Sequence, residues 1–348
     1  MLITTTNELR LYSPANAIDA IETLTGFIDS SEHDFLEEKL GKDLFVLLQK
    51  HYRGLGEAGI MTLIENIQRN DTLLPYSQLL MLAQRCVCFD ALGRAIDMQA
   101  ISVNGSGVNV ATSDDYGKAD KDAISAYKQT CYKESHSAVN RLLIVLEEWM
   151  REVASVTEEG KDTDEYREKK EITDAWQKSR YFFLVGSLLI PSAQVLQEYV
   201  NIYDNREKYI TLLPDLRYIQ EDILAPVVGE ELLDFLTDNA IKGTKDKKLA
   251  RLIHRLRKAM VKHLIARTNF LKLSAPDLAT VHSEAVLMVN NCVDYIRMYQ
   301  SDFISLAKDA MEASPIYDAS VNKVREPYEP TFKNNEDGNV MFVIPALN

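Results

Sequence analysis

Residues 33–52 read HDFLEEKLGKDLFVLLQKHY, and the same pattern returns at residues 221–236 as EDILAPVVGEELLDFL. With Gly41 set against Gly229, Phe35, Leu36 and Leu40 fall on Ile223, Leu224 and Val228. Beyond the glycine, Leu44, Phe45, Leu47 and Leu48 fall on Leu232, Leu233, Phe235 and Leu236. Upstream, after a single-residue gap, Leu9, Arg10, Leu11 and Tyr12 fall on Leu196, Gln197, Glu198 and Tyr199. Downstream, an apolar helical stretch at 73–97 answers another at 247–268. Self-similarity at so long a period marks a duplicated domain rather than a short-repeat solenoid.

The pattern therefore predicts a mainly α protein of two tandem, duplicated helical bundles, with Gly41 and Gly229 as the structural keystones. Residues 1–153 read as the first domain, 154–180 as a charged linker, 181–312 as a second, diverged domain and 313–348 as an extended arm. A length of 348 residues suits two domains of ordinary size.

The apolar share is 46% and the charged share 26%, enough to bury two cores. A formal net charge of -13 argues against a protein whose whole surface binds DNA or membrane. No basic start leads into an apolar core at the N-terminus, and no apolar run approaches the roughly 18 residues of a membrane helix. Cys86, Cys88, Cys131 and Cys292 all sit in helical apolar patterns. Cys86 and Cys88, two apart on a helix, point in different directions, which suits buried free thiols rather than a disulfide or a metal site.

Residues 1–6, MLITTT, are β-prone and run into a helix capped at Thr6, with a second helix at 15–25 and a cap near Ser31 for the keystone helix. Residues 54–59, GLGEAG, match the dinucleotide fingerprint in letters only, because a helical pattern rather than a strand precedes them. They read as a helix–helix connection. Residues 101–112, ISVNGSGVNVAT, alternate on either side of a turn and predict a β-hairpin. Residues 119–153 place Ile124, Tyr127, Cys131, Ser135, Ala138, Leu142, Val145 and Trp149 on one helical face. Residues 157–178 are dense in charge and carry no core pattern before Trp176.

The basic residues concentrate in one place. Between Lys242 and Arg267 there are 10 Lys or Arg against the single acid Asp246. Lys247, Arg251, Arg255, Lys258 and Lys262 fall along one helical face, opposite Leu249, Leu252, Leu256, Met260 and Leu264. Two readings stay open, a solvated face and a surface for DNA phosphates or an acidic partner. A last helix is expected at 282–308. The arm holds Pro315, Pro327, Pro330 and Pro345 and one strand seed, Val340, Met341, Phe342, Val343 and Ile344. A lone apolar strand must find an edge. It can pair with residues 2–5 of its own chain or add to a neighbouring subunit.

The order of these pieces is informative. The opening MLITTTNELRLY, then FLEEKLGKDLFVLL, the helix LLPYSQLLMLAQRCVCFDALGRAI, the hairpin ISVNGSGVNVATSDD and the long helix ending RLLIVLEEW together resemble the head–tail connector (adaptor) proteins of tailed bacteriophages. The longer versions from phages and prophages of Bacteroides-type bacteria are the most similar in kind. The resemblance covers residues 1–148 and, through the repeat, 183–303. It implies a homo-oligomeric ring in the virion neck, docked on the portal and on neighbouring tail proteins, around the channel through which DNA passes. It also implies host cytoplasm before assembly, no active site and no cofactor. Typical members carry one unit; this chain carries two and an arm, and the hairpin has no counterpart after Asn269.

Two other classes compete. An enzyme would need a constellation, and none of His33, His51, His136, His254, His263 and His282 has metal-site spacing. No G-x-S-x-G or cysteine-nucleophile context occurs. We therefore expect no catalytic residue and no metal. The remaining alternative is a helical scaffold or regulatory protein of the cell interior, unrelated to phage.

Overall fold

The computed structural model describes residues 1–13, 21–99, 101–104, 107–110, 121–179, 182 and 187–320. The chain is mainly helical. Its described residues divide into two compact units, Met1–Val185 with Ser192–Leu213 and Gly186–Pro191 with Pro214–Asn348.

The first unit opens with an extended segment whose Leu2 and Ile3 are fully buried. It does not form a strand. Helix α1 (Thr6–Tyr12) follows, and Thr5 rather than Thr6 caps it, in a capping box with Glu8. Helix α2 (Thr25–Ser31) runs without a cap near Ser31 into a π-helical segment, Glu32–Leu36, and then into the one-turn α3 (Glu37–Leu40). Gly41 ends that turn at φ 81°, ψ 155°, a region open essentially to glycine alone. Helix α4 (Lys42–Arg69) contains the GLGEAG stretch inside it, with one backbone break at Gly56 (φ 61°, ψ -178°). No strand leads into those glycines, so they form no phosphate cradle.

Helix α5 (Pro75–Gln99) is the centre of this unit, packed against α1, α2, α4 and the π-helical segment. That placement explains why it is apolar on most faces, with Leu79, Leu80, Ala83, Cys86, Val87, Cys88 and Ala91 all fully buried. Strands β1 (Ile101–Asn104) and β2 (Gly107–Val110) pair antiparallel, Ile101 opposite Val110 and Asn104 opposite Gly107. Helix α6 (Lys121–Ser155) is the main partner of α5 and buries Cys131, Ser135, Ala138, Leu142, Leu146 and Trp149 on one side.

The charged stretch expected as a linker behaves otherwise. Thr163 caps helix α7 (Asp164–Gln177), which buries Ile172, Thr173, Ala175 and Trp176 against α4, α5 and α6. Its charges face outward and only four residues face in, which is why a core pattern was hard to see. Residues 192–213, expected in the second domain, also group with the first unit. They hold α8 (Ala193–Gln197) and the start of α9 (Arg206–Tyr218). The reason is local: Arg206, only 4% exposed, donates to Glu147 on α6 at 3.0 Å, and Asn140 brackets the same turn through its amide.

In the second unit a π-helical segment, Ile219–Leu224, leads to the one-turn α10 (Ala225–Val228) and to Gly229 at φ 97°, ψ 137°. Helices α11 (Glu230–Lys242) and α12 (Lys247–Thr268) follow. The expected last helix begins earlier and is broken, because Ser274 caps α13 (Ala275–Met298) and α14 (Gln300–Leu306) follows after Tyr299. Helix α15 (Lys308–Ala313) packs on α11. The arm is thus folded at its start: Ser314 and Ile316 are buried. The strand seed at 340–344 lies outside the described residues, as does most of the expected helix at 15–25.

The two keystones share their surroundings position by position. Each follows a π-helical segment and one α-turn. Nine residues before Gly41, Glu32 accepts from the Leu2 N–H; nine before Gly229, Gln220 accepts from the Leu189 N–H at 2.8 Å. The carbonyl of Leu2 accepts from Gln84 on α5 at 2.7 Å, and that of Leu189 from Arg257 on α12 at 2.6 Å. Setting Gln84 on Arg257 superposes the buried sets as well. Leu79, Leu80, Ala83, Val87 and Ala91 then meet Leu252, Ile253, Leu256, Met260 and Leu264. Ser179 lies over Gly41 and Ser314 over Gly229, each turned by its N–H onto the carbonyl three residues back, Trp176 and Met311.

Candidate functional site

Helix α12 carries the basic face. Asp246 caps it, accepting from the Leu249 N–H at 2.7 Å, and Asn269 stops it in the left-handed region. The Asn269 side chain then clasps Leu273 through both its N–H and its carbonyl, which sets the short return into α13. Leu249, Leu252, Leu256, Ala259, Met260 and Leu264 point inward, so residues at the complementary three- and four-residue steps point out.

The five cations of this face fall on one side of the continuous helix, and four of them are unpaired with any carboxylate among the described residues. Lys247, Arg251, Arg255 and Lys258 are exposed. Among the described residues Lys247, Arg251 and Lys258 have no carboxylate partner, and Arg255 lies over the Tyr295 ring at 4.5 Å. Lys262, half-buried, pairs with Glu284 of α13 at 2.6 Å. Other nearby cations are committed too: Lys248 to Asp302 at 2.6 Å, Arg267 to Asp215 at 2.6 Å, and Arg257 to backbone carbonyls.

Between α12 and α13 this face opens into a groove of about 840 Å³. One wall is basic, with Arg251, His254, Arg255 and Lys258; the other is Met288, Tyr295, Met298 and Tyr299. Met298 is 73% exposed, a large apolar side chain with nothing described over it. Cys292 lies on the floor, its thiol pushed up to about 11 by burial, so it stays protonated and inert near neutrality. The α13 wall escaped the sequence reading; its signal was the three- and four-residue spacing of Met288, Asn291, Tyr295 and Met298.

A second titratable cluster belongs to the first unit. Glu207 takes His136 at 2.7 Å and Lys39 at 3.3 Å. Burial works against its charge, yet the His136 and Lys39 contacts together hold the carboxyl below its usual range, while the Glu207 bond raises the imidazole. Each charge is matched by a neighbour, so the cluster is a closed polar clasp. All four cysteines are free and buried. Among the described residues, no three or more His, Cys, Asp or Glu gather as a metal site, and no helix is long and apolar enough to cross a membrane.

No protein-family model matches the chain, and neither a curated protein nor a solved structure matches it.

Proposed function

We propose that this chain is a structural subunit of the head–tail connector of a tailed bacteriophage, built from two tandem copies of one helical unit. The observation that carries the duplication is the repeated keystone. A π-helical segment, a glycine in a glycine-only conformation, a polar side chain holding the opening Leu N–H and a closing serine occur once around Gly41 and once around Gly229. Chance convergence on one of these features is ordinary; convergence on all of them, in the same order, is not. The connector reading then rests on the order of elements in residues 1–148, which resembles that family.

In this reading the work is mechanical. Subunits associate head to tail, and a rotation that closes gives a ring. The ring docks on the portal and its tail-side neighbours in the virion, and the α12 face meets DNA phosphates or an acidic partner. The arm's strand, Val340 to Ile344, adds to an edge in the same chain or in the next subunit.

The test is mass photometry and negative-stain imaging of the full-length protein over a concentration series, alone and with portal. Closed rings with a central hole support the reading. A protein that stays monomeric under both conditions overturns it and favours the alternative, a helical scaffold unrelated to phage. Neighbouring genes for portal, capsid and terminase would separate the same two readings independently.

A further inference from the structure

Helices α11 and α12 of the second unit carry opposite charge on their outer faces. On α11, Glu230, Asp234, Asp238 and Ile241 follow one another at four-, four- and three-residue steps and are all exposed, while Leu232, Leu233 and Leu236 are buried on the other side. Among the described residues Glu230, Glu231 and Asp234 have no basic partner, and Asp238 has only an exposed one-turn pair with Lys242 at 2.9 Å. On α12 the cations Lys247, Arg251 and Lys258 are likewise without a carboxylate.

The fold requires neither charge. With Gly41 set on Gly229, Lys42, Asp43, Val46 and Lys50 of α4 stand where α11 has Glu230, Glu231, Asp234 and Asp238. With Gln84 set on Arg257, Leu74, Gln78 and Leu82 stand where Lys247, Arg251 and Arg255 do. Arg85, in the place of Lys258, is taken by Glu134 at 3.1 Å. The first unit therefore has the same framework without an acidic stripe and without an unmatched basic one. In the second unit the two occur together.

DNA would satisfy the α12 cations alone and leave the α11 carboxylates unmatched, and a chain of net charge -13 approaches it against repulsion. A second copy satisfies both faces at once, through a local match that outweighs the general repulsion at short range. The spacings agree. Glu230 to Asp238 covers eight helical steps, roughly 12 Å, and Arg251 to Lys258 seven, roughly 11 Å. Beyond Asp238 the stripe ends in the exposed, apolar Ile241, and the groove beside α12 offers Met288. Met288 lies at the Lys258 end, since Glu284, one turn before it, reaches Lys262 while Tyr295 Oη reaches the Lys248 carbonyl. The acid in the groove, Asp294, has Arg297 of its own helix at 3.8 Å, which offsets its charge. An apolar side chain seated in a groove with charges around it is the anatomy of a protein–protein contact.

We propose that the α11 stripe of one copy docks on the α12 face of the next, with Glu230, Asp234 and Asp238 against Arg251, Arg255 and Lys258 and with Ile241 beside Met288. The contact rests on the head-to-tail association proposed above and names its two faces; it needs neither portal nor DNA.

The experiment is sedimentation velocity of the full-length chain over a concentration series, with two variants. One carries Arg251→Glu with Lys258→Glu, the other Glu230→Lys with Asp238→Lys, all at exposed positions. Each variant alone sets like charges against each other and should associate at least about tenfold more weakly than the parent. Added salt should weaken the parent in the same direction. In an equal mixture the altered faces match each other and so do the native ones, so association should return, which a general disturbance of the fold would not allow. Association unchanged in either variant, or lost and not recovered on mixing, overturns the contact and leaves the connector reading to its own test with portal. A parent chain that stays monomeric throughout also overturns the contact, and rings formed with portal would then support the connector reading without it.

Discussion

A β-carbon on Gly41 would sit 2.5 Å from the Cβ and Oγ of Ser179, in a backbone conformation at φ 81° that L-residues avoid. Overpacking and strain add, so Gly41→Ala should destabilise the first unit by about 3 kcal/mol or more. At Gly229 the nearest atoms, of Pro315 and Ser314, stand at 3.0 Å, and the loss should be smaller. Urea denaturation of both variants gives the ranking; an unchanged midpoint for Gly41→Ala would remove its keystone role.

Glu32 makes a second prediction at this scale. It is fully buried, and burial is the main cause that lifts its pKa above 4.5 even though the Leu2 N–H favours the charged form. A raised folded-state pKa means that the native protein holds this proton more tightly than the unfolded chain. The corresponding stability is complete below about 4.5 and is lost as pH rises through the folded value. Glu32→Gln, which copies Gln220 of the second unit, should keep the bond to Leu2 and flatten that loss. Glu32→Leu should instead strand the Leu2 N–H at a cost of about 1–3 kcal/mol. Urea midpoints measured from pH 4 to 7 distinguish the two; equal pH slopes for Glu32→Gln and the parent chain would refute the assignment.

Among the elements, α7 differs most from its sequence. Its charge density reads as a linker, yet Trp176 is fully buried beneath it and meets Phe182 edge-on at 5.0 Å. Trp176→Ala should therefore cost about 3–5 kcal/mol, as for a core aromatic, and thermal unfolding would show it. A shift of under a degree would return the stretch to linker status. Helix α12 shows the opposite case. Its basic face was legible because helical spacing alone fixes which residues share a side. Which cations remain free was not, because Lys248, Lys262 and Arg267 find their carboxylates on Asp302, Glu284 and Asp215, far away in sequence.

For the whole molecule, the proposed connector needs two different surfaces on each subunit for a head-to-tail contact. The arm should contribute to that assembly through its strand seed at 340–344. Deleting residues 326–348 is therefore expected to weaken higher-order assembly while leaving both helical units folded. Sedimentation velocity reads the first and circular dichroism the second. Assembly unaltered by the deletion would discard the strand role.

The mainly helical class was readable from residue periodicity, because it rests on patterns within a few turns of chain; Gly41 and Gly229 were singled out by comparing stretches 188 residues apart, and each ends a short helical turn at positive φ. The central place of α5 followed from its nearly uniform apolarity. Tertiary structure alone decided the rest. That Glu32 and Gln220 hold equivalent backbone N–H groups, that Ser179 and Ser314 close over the two glycines, and that α7 belongs to the first core all depend on residues tens of positions apart. So does the groove, whose second wall comes from a helix that the basic pattern of α12 says nothing about. Local spacing fixes which side of an element is apolar; only packing fixes what that side meets, and a surface becomes a site when two elements leave a gap between them.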